Sequence, residues 1–408
     1  MSDLSARLSL GFSWVGHSLM HIVSGLYLTV VLALQHEWHL SYDELIRVWT
    51  LGATLIAVGA PLAGWLGDRW SESRMMAVFF LLTGAGSIVS GLASDTGVLF
   101  WGLALLGLGA SIYHPVSMSW TVKNAANRGK ALGYLGIFGT VGIASAAVVA
   151  GGLTDWMGWR AAMILPGAVC VALGVALAAL IATGHVRDRR GDVKPQPAAE
   201  RGDMVRAFLV LSVTMICSGL LFNSMLIVLP KLFETRLGGL LGEGTLGVGG
   251  MVTLVYLAAT VPQLIGGHLA DRYPVKRIYV LCLLLQTPMM ALMAVLWDLP
   301  LVFAAIGVVI GSQVQIPAES LLLARYTPAR HRGLAFGAKF VLSFGAGPVA
   351  VQMAAAVFDR TGDFQALYLL LAALALVAFL AALLVPEERK EKPAPAAPAP
   401  AAAIAGGD

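Results

Sequence analysis

The amino-acid sequence predicts an all-α integral membrane protein, twelve transmembrane helices in two six-helix, pseudo-symmetric halves. Three observations carry that prediction. Of the 408 residues, 58% are hydrophobic and 12% charged, with mean hydropathy +0.80, more apolar surface than a soluble chain of this length can bury. Apolar runs of about 18 to 25 residues, the length a helix needs to cross roughly 30 Å of hydrocarbon, recur along the whole chain. Finally, Gly64-Trp65-Leu66-Gly67-Asp68-Arg69, followed by Arg74, returns 203 residues later as Gly267-His268-Leu269-Ala270-Asp271-Arg272, followed by Lys276 and Arg277.

The first half carries runs at 9–34, 43–67, 75–94, 97–121, 131–153 and 160–184. The second carries them at 206–234, 244–270, 275–297, 299–324, 333–358 and 363–385. Basic residues orient them. With both termini cytoplasmic, 21 of the 27 Lys and Arg fall on the inside. Arg160, Lys231, Arg236 and Arg360 fall outside, and Arg47 and Lys339 lie within helices. This is the positive-inside pattern. The net charge of +4 and pI near 9.0 follow from that topology, and basic residues spread over loops give no nucleic-acid surface. The first helix is expected to serve as its own insertion signal. Residues 185–205 read as a cytoplasmic linker between an N-terminal bundle, 1–184, and a C-terminal bundle, 206–385. A Pro/Ala-rich tail, 386–408, reads as disordered. Cys170, Cys217 and Cys282 all fall inside spans, with neither a disulfide framework nor zinc-ligand spacing. The sequence holds no phosphate-binding loop and no catalytic motif, so neither an ATP-driven pump nor an enzyme is expected, and no cofactor.

The repeated hexapeptide has a physical sense of its own. Gly64 and Gly67 let neighbouring helices approach, Asp68 can accept bonds from helix N-terminal amides, and Arg69 and Arg74 complete a charge cluster. Otherwise these are solvated loop charges that set topology. The motif resembles the loop between the second and third helices of the major facilitator superfamily. The twelve-helix pattern, the linker and Gly158-Trp159-Arg160 at the sixth helix fit the same family. That resemblance implies the major facilitator fold: a monomeric, multi-pass transporter of a bacterial inner membrane that carries a small-molecule substrate by alternating access. It also implies that Asp68 and Asp271 hold the cytoplasmic face closed in the outward-facing state. Gly267, Arg272, Lys276 and Arg277 complete the second copy.

Gly107-Leu108-Gly109-Ala110-Ser111-Ile112-Tyr113-His114-Pro115, with Gly16-His17-Ser18-Leu19, resembles the fosmidomycin-resistance branch of drug exporters. This implies proton-coupled efflux of the antiporter type and drug resistance. Val116 and Trp120 stand where that branch has an acidic residue and an Arg, and Met20 and His21 where it has Asn-Asp. The pocket is therefore expected to differ from that of the exporters. Gly133, Gly136, Gly139, Gly142 and Gly151-Gly152 partly match an antiporter glycine motif, without its proline.

Ionisable residues inside a span are costly and mark functional sites. At about 1.5 Å per residue from the cytoplasmic edge, His17, His21 and His114 lie about 12, 18 and 13 Å deep. His17 and His21, four apart, share one helix face. In this family the first and fourth helices of each half line the cavity, so the three imidazoles are expected to converge on a substrate or proton site. The alternative is that they bond backbone carbonyls as packing residues. The matching helices of the second half supply Asn223 and Gln313, Gln315 and Glu319, with Pro317 interrupting the hydrogen-bond ladder. Glu319 and Lys339, both about 9 Å deep, are placed to pair; unpaired, they would be a proton acceptor and a cation for an anionic substrate. With no carboxylate predicted at the midplane, the histidines are the expected proton carriers.

The leading reading is thus a proton-coupled exporter of a small organic molecule. A second is a soft transition-metal transporter, most simply of copper, with His17, Met20, His21, His114 and Met118 as nitrogen and thioether ligands. A third is a non-transporting membrane receptor on the same fold.

Overall fold

In hydrocarbon a helix satisfies its backbone amides within its own segment, and the apolar runs fold accordingly. The computed structural model describes residues 2–189, 201–242, 244–262, 265, 269, 272–327 and 332–387. Among the described residues, twelve helices long and apolar enough to cross a membrane follow one another. Those of the first half are α1 (Leu4–Trp38), α2 (Tyr42–Arg69), α3 (Glu72–Gly91), α4 (Thr96–Asn124), α5 (Lys130–Met157) and α6 (Trp159–Ala182). The second half has α7 (Gly202–Arg236), α8 (Thr245–Pro262), α9 (Val275–Val295), α10 (Asp298–Tyr326), α11 (Gly337–Thr361) and α12 (Gln365–Leu383). Large apolar side chains such as Trp101, Phe303 and Leu254 are exposed, as lipid-facing positions require. The expected linker 185–205 and tail 386–408 lie outside the described residues over 190–200 and from 388 onward.

Local chemistry sets the helix starts. Ser41 and Glu44 form a capping box at α2, and the Ser71 hydroxyl accepts from the Arg74 amide at α3. Asp95 accepts from the Gly97 and Val98 amides at α4. The Val98 bond, with that of Gly97, holds the Asp95 carboxyl below the usual carboxylate range. Midway, α4 breaks at Ser111–Ile112, between a segment ending at Ala110 and one starting at Tyr113. Pro115 has no amide proton for the Ser111 carbonyl, and its ring crowds that carbonyl. The Ile112 amide bonds to Gly109 instead, at 3.1 Å. Pro317 has a smaller effect than expected: α10 runs through it unbroken, so the interruption amounts to one missing bond.

The halves repeat their packing. α1 lies along α5, and α3 lies against α4 and α6; correspondingly, α7 lies along α11, and α9 against α10 and α12. Between halves α5 meets α8 and α2 meets α11, which is the exchange a two-fold pseudo-axis produces. At the α5–α8 contact, Asp155 accepts from the Thr245 and Leu246 amides at 2.9 and 2.7 Å and from the Thr245 hydroxyl at 2.7 Å. The Thr253 hydroxyl donates to the Ala144 carbonyl at 2.5 Å. Near the α2–α11 contact, Arg47 donates to Gln352 at 2.8 Å, Gln352 to Thr50 at 2.7 Å, and Tyr42 to the Ile227 carbonyl of α7 at 3.2 Å. All but the Thr253–Ala144 bond, which lies midway along α5 and α8, gather toward the helix ends opposite Asp68 and Lys123.

Each half also clasps its helix ends with an arginine. Arg160, at the start of α6, bonds Glu37 at the end of α1 (2.8 Å) and the Ala93 carbonyl just past α3 (3.2 Å). Arg236, at the end of α7, bonds both Asp363 oxygens (2.8 and 2.7 Å) and the Met293, Ala294 and Leu296 carbonyls at the end of α9. A cation there meets the negative end of the helix dipole.

Candidate functional site

Past the α4 break, His114 turns toward α1, where His17 and His21 lie one turn apart. The three rings pack together, with centroids 5.0 Å (His17–His21), 5.2 Å (His17–His114) and 5.6 Å (His21–His114) apart. One ring nitrogen from each lies within 4.8 Å of the other two. His17 Nδ1 sits 2.6 Å from the Leu135 carbonyl of α5. A carbonyl only accepts, so Nδ1 carries the proton and Nε2 presents a lone pair. The Nε2 atoms of His17 and His114 are buried without a hydrogen-bond partner among the described residues. Gly139 makes the room, because a Cβ there would overlap the His17 ring. Gly133 and Gly136 of the same glycine series face open space, while Gly142 abuts the Ser18 backbone. From α11, Phe340 stacks on His114 (5.7 Å, 25°), and Phe344 lies 5.1 Å from it.

The thioethers of the copper reading do not join this cluster. Met20 is packed in the core at 3% exposure and Met118 is exposed at 38%. One residue turns a helical side chain by about 100°, which carries Met20 away from the face of His21, and Met118, although one turn from His114, does not line the cavity that the histidines line.

Opposite the histidines, Asn223, Gln313, Gln315, Glu319 and Lys339 complete the lining of a cavity of about 240 Å³. The sequence-predicted polar residues of both halves therefore share one site. Glu319 and Lys339 are paired at 3.0 Å and both buried. Lys339 also donates to Ser320 at 2.8 Å. The Tyr279 hydroxyl donates to Glu319 at 3.1 Å and lies 2.7 Å from the Thr214 hydroxyl. Gln315 accepts from Gln286 at 2.8 Å and donates to Ser218 at 2.6 Å. The Asn223 amide is held by the Gly219 and Ser343 carbonyls at 2.7 and 3.1 Å, whereas Gln313 Nε2 is buried without a partner. Sequence reasoning missed Tyr279, Gln286 and Ser218, although Gln286 inside an apolar run was a readable signal, and it missed the Phe340–Phe344 wall.

Two helical bundles closed over a shared polar cavity have known counterparts. The sequence pattern of the Major Facilitator Superfamily matches residues 13–253 and 241–406. The chain belongs to that superfamily. It is therefore a multi-pass membrane protein whose family transports small molecules rather than catalysing reactions. A stretch of 126 residues, 30% of the chain, is 31% identical to the puromycin resistance protein pur8 of Streptomyces alboniger and spans 25% of that relative. Among solved structures, the chain is similar to a peptide transporter, POT, bound to alafosfalin (TM-score 0.74, 16% identity, 92% of this chain and 93% of that one). It is also similar to a bacterial homologue of the human lysosomal transporter Spinster, captured inward-facing and unoccupied (TM-score 0.66, 14% identity, 93% and 95%). At such identities the likeness is one of fold.

The first copy of the superfamily loop motif lies within the described residues. A Cβ on Gly64 or Gly67 would press on Pro115 or Val116 at 3.2 and 3.1 Å, so these glycines seat α2 against the lower part of α4. Asp68 does not cap a helix in this arrangement. It is 72% exposed and 3.9 Å from Lys123, which bonds the buried Glu72 at 2.8 Å; Ser119 bonds Glu72 as well. Glu72 is thus the inner anion of the cluster, and the sequence reading did not single it out. Arg69 and Arg74 lie over the rings of Trp65 and Trp70. In the second copy Arg272, Lys276 and Arg277 are described, whereas Gly267 and Asp271 lie outside the described residues.

Proposed function

We propose that this superfamily member exports a small organic molecule from the cytoplasm of a bacterium in exchange for protons, as a monomer with both termini inside. The observation that carries the reading is a cavity between the halves, lined by ionisable and aromatic groups and sealed on one face by bonds between α5 and α8 and between α2 and α11. A seal on the face away from the basic loops is what an inward-facing state requires. The likeness to the fosmidomycin-resistance branch and to a puromycin resistance protein supports efflux.

Proton coupling is assigned to Glu319, a departure from the expectation that the histidines carry it. The three imidazoles stand close enough that charge on one repels charge on the others, and His17 Nδ1 is already committed to Leu135. Glu319, by contrast, is a carboxylate at the cavity whose protonation would release Lys339 to meet an anionic group on the substrate. Transport in vesicles tests this. Glu319→Gln should abolish pH-driven transport but spare exchange at equal pH, since exchange need not move a proton. Loss of pH-driven transport in His17→Gln or His114→Gln with Glu319→Gln unaffected would return the coupling to the histidines. Substrate movement only toward the cytoplasm would overturn efflux.

A further inference from the structure

We infer that His17, His21 and His114 form a binding site for one divalent transition ion of the zinc, nickel or cobalt type. Three features of the cluster point to it independently of the transported molecule. Its nitrogens already converge: a tetrahedral ion with metal–nitrogen bonds of about 2.0–2.1 Å holds its ligands about 3.3–3.4 Å apart. The observed limit of 4.8 Å therefore asks for an inward shift of at most about 1.5 Å, within reach of small side-chain rotations. The His17 ring is also set as metal ligands are set. A ligating imidazole gives its other N–H to a carbonyl or carboxylate, which fixes the tautomer and aims the lone pair. The Leu135 carbonyl at 2.6 Å from Nδ1 does this for His17 Nε2. Lastly, the Nε2 atoms of His17 and His114 are buried and unpartnered, a cost that an unmade hydrogen bond leaves standing and a metal bond would remove.

The donor set selects the ion. Three imidazoles without carboxylate or carbonyl oxygen disfavour magnesium and calcium. With Met20 and Met118 outside the cluster, no thioether favours Cu(I), so borderline divalent ions are left. Three protein ligands leave a fourth position, and here it faces the cavity, where a donor atom of a transported molecule or a water can occupy it.

The test uses the untagged full chain in detergent. Cobalt added to the wild type should produce the visible absorption of four-coordinate Co2+, saturating at one ion per chain, and zinc should displace it while magnesium does not. A variant with His17→Gln, His21→Gln and His114→Gln should lose that saturable absorption. A second variant, in which the other five histidines are Gln, should keep it. Absence of saturable cobalt or zinc binding in the wild type overturns the inference, and so does binding that disappears in the second variant. If the first variant does not fold, the second still decides between the cavity and the remaining histidines. Coupling is read separately, because Glu319→Gln leaves every ring nitrogen in place and should not change cobalt binding whatever it does to transport.

Discussion

The Asp155 carboxylate holds the backbone amide of Thr245 at 2.9 Å and its hydroxyl at 2.7 Å. The last turn of α5 is thereby the N-terminal cap of α8, and a helix of one half is capped by the other. This is the anion-on-helix device expected of Asp68, found instead on the opposite face.

Such a cap exists only while that face is closed. Asp155→Ala should cost the closed arrangement about 0.5–2 kcal/mol and shift the balance between faces by a factor of about 2 to 30. A cysteine placed at Ala147, buried in the α5–α8 contact, should then react faster with thiol reagents. An unchanged labelling rate would mean that Asp155 does not bias the transition.

For Glu319 and Lys339 the prediction is a sign rather than a size. Removing one partner of a buried pair strands a charge and typically costs about 3–5 kcal/mol, whereas removing both is often close to neutral. Thermal unfolding of Glu319→Gln, Lys339→Met and the double variant should show the double variant more stable than either single one. Additive losses would deny the coupling.

Gly139→Ala puts a methyl group into the space of the His17 ring. It should displace that ring and reduce both transport and cobalt binding. Gly133→Ala, facing open space, should be neutral or stabilising by up to about 1 kcal/mol, since alanine favours helix more than glycine does. Equal behaviour of the two variants in transport assays would remove the role assigned to Gly139.

Asp68→Asn should insert and fold normally, since the carboxylate is exposed and its only described ion pair is a long one to Lys123. Transport should still fall sharply, because the proposed work of Asp68 is done in the opposite state, when the cytoplasmic face closes. Wild-type kinetics in that variant would reduce the motif to a topological signal.

The spans and their pairing into halves were legible because hydrocarbon imposes length and apolarity on any crossing segment. The histidine level was legible from helical rise together with the family's cavity geometry, and the Glu319–Lys339 pair from matched depth. Leu135 was not, because the group that orients His17 is a backbone carbonyl, which every residue possesses. Asp155 was missed for a related reason: at the end of a span it reads like any loop charge until α8 is known to begin beside it. Met20 and Met118 do not line the cavity, which the sequence could not show, because methionine in an apolar helix looks the same whether it packs or ligates.

The two arginine clasps have a further meaning. Glu37 on α1 answers Arg160 on α6, whereas in the second half the arginine sits on α7 and the acid, Asp363, just before α12. The two bundles share the clasp with opposite polarity. Grafting α6 in place of α12 would set Arg160 against Arg236, and the reverse graft would set Asp363 against Glu37. The halves are therefore not interchangeable at these positions, because like charges would meet at the helix ends.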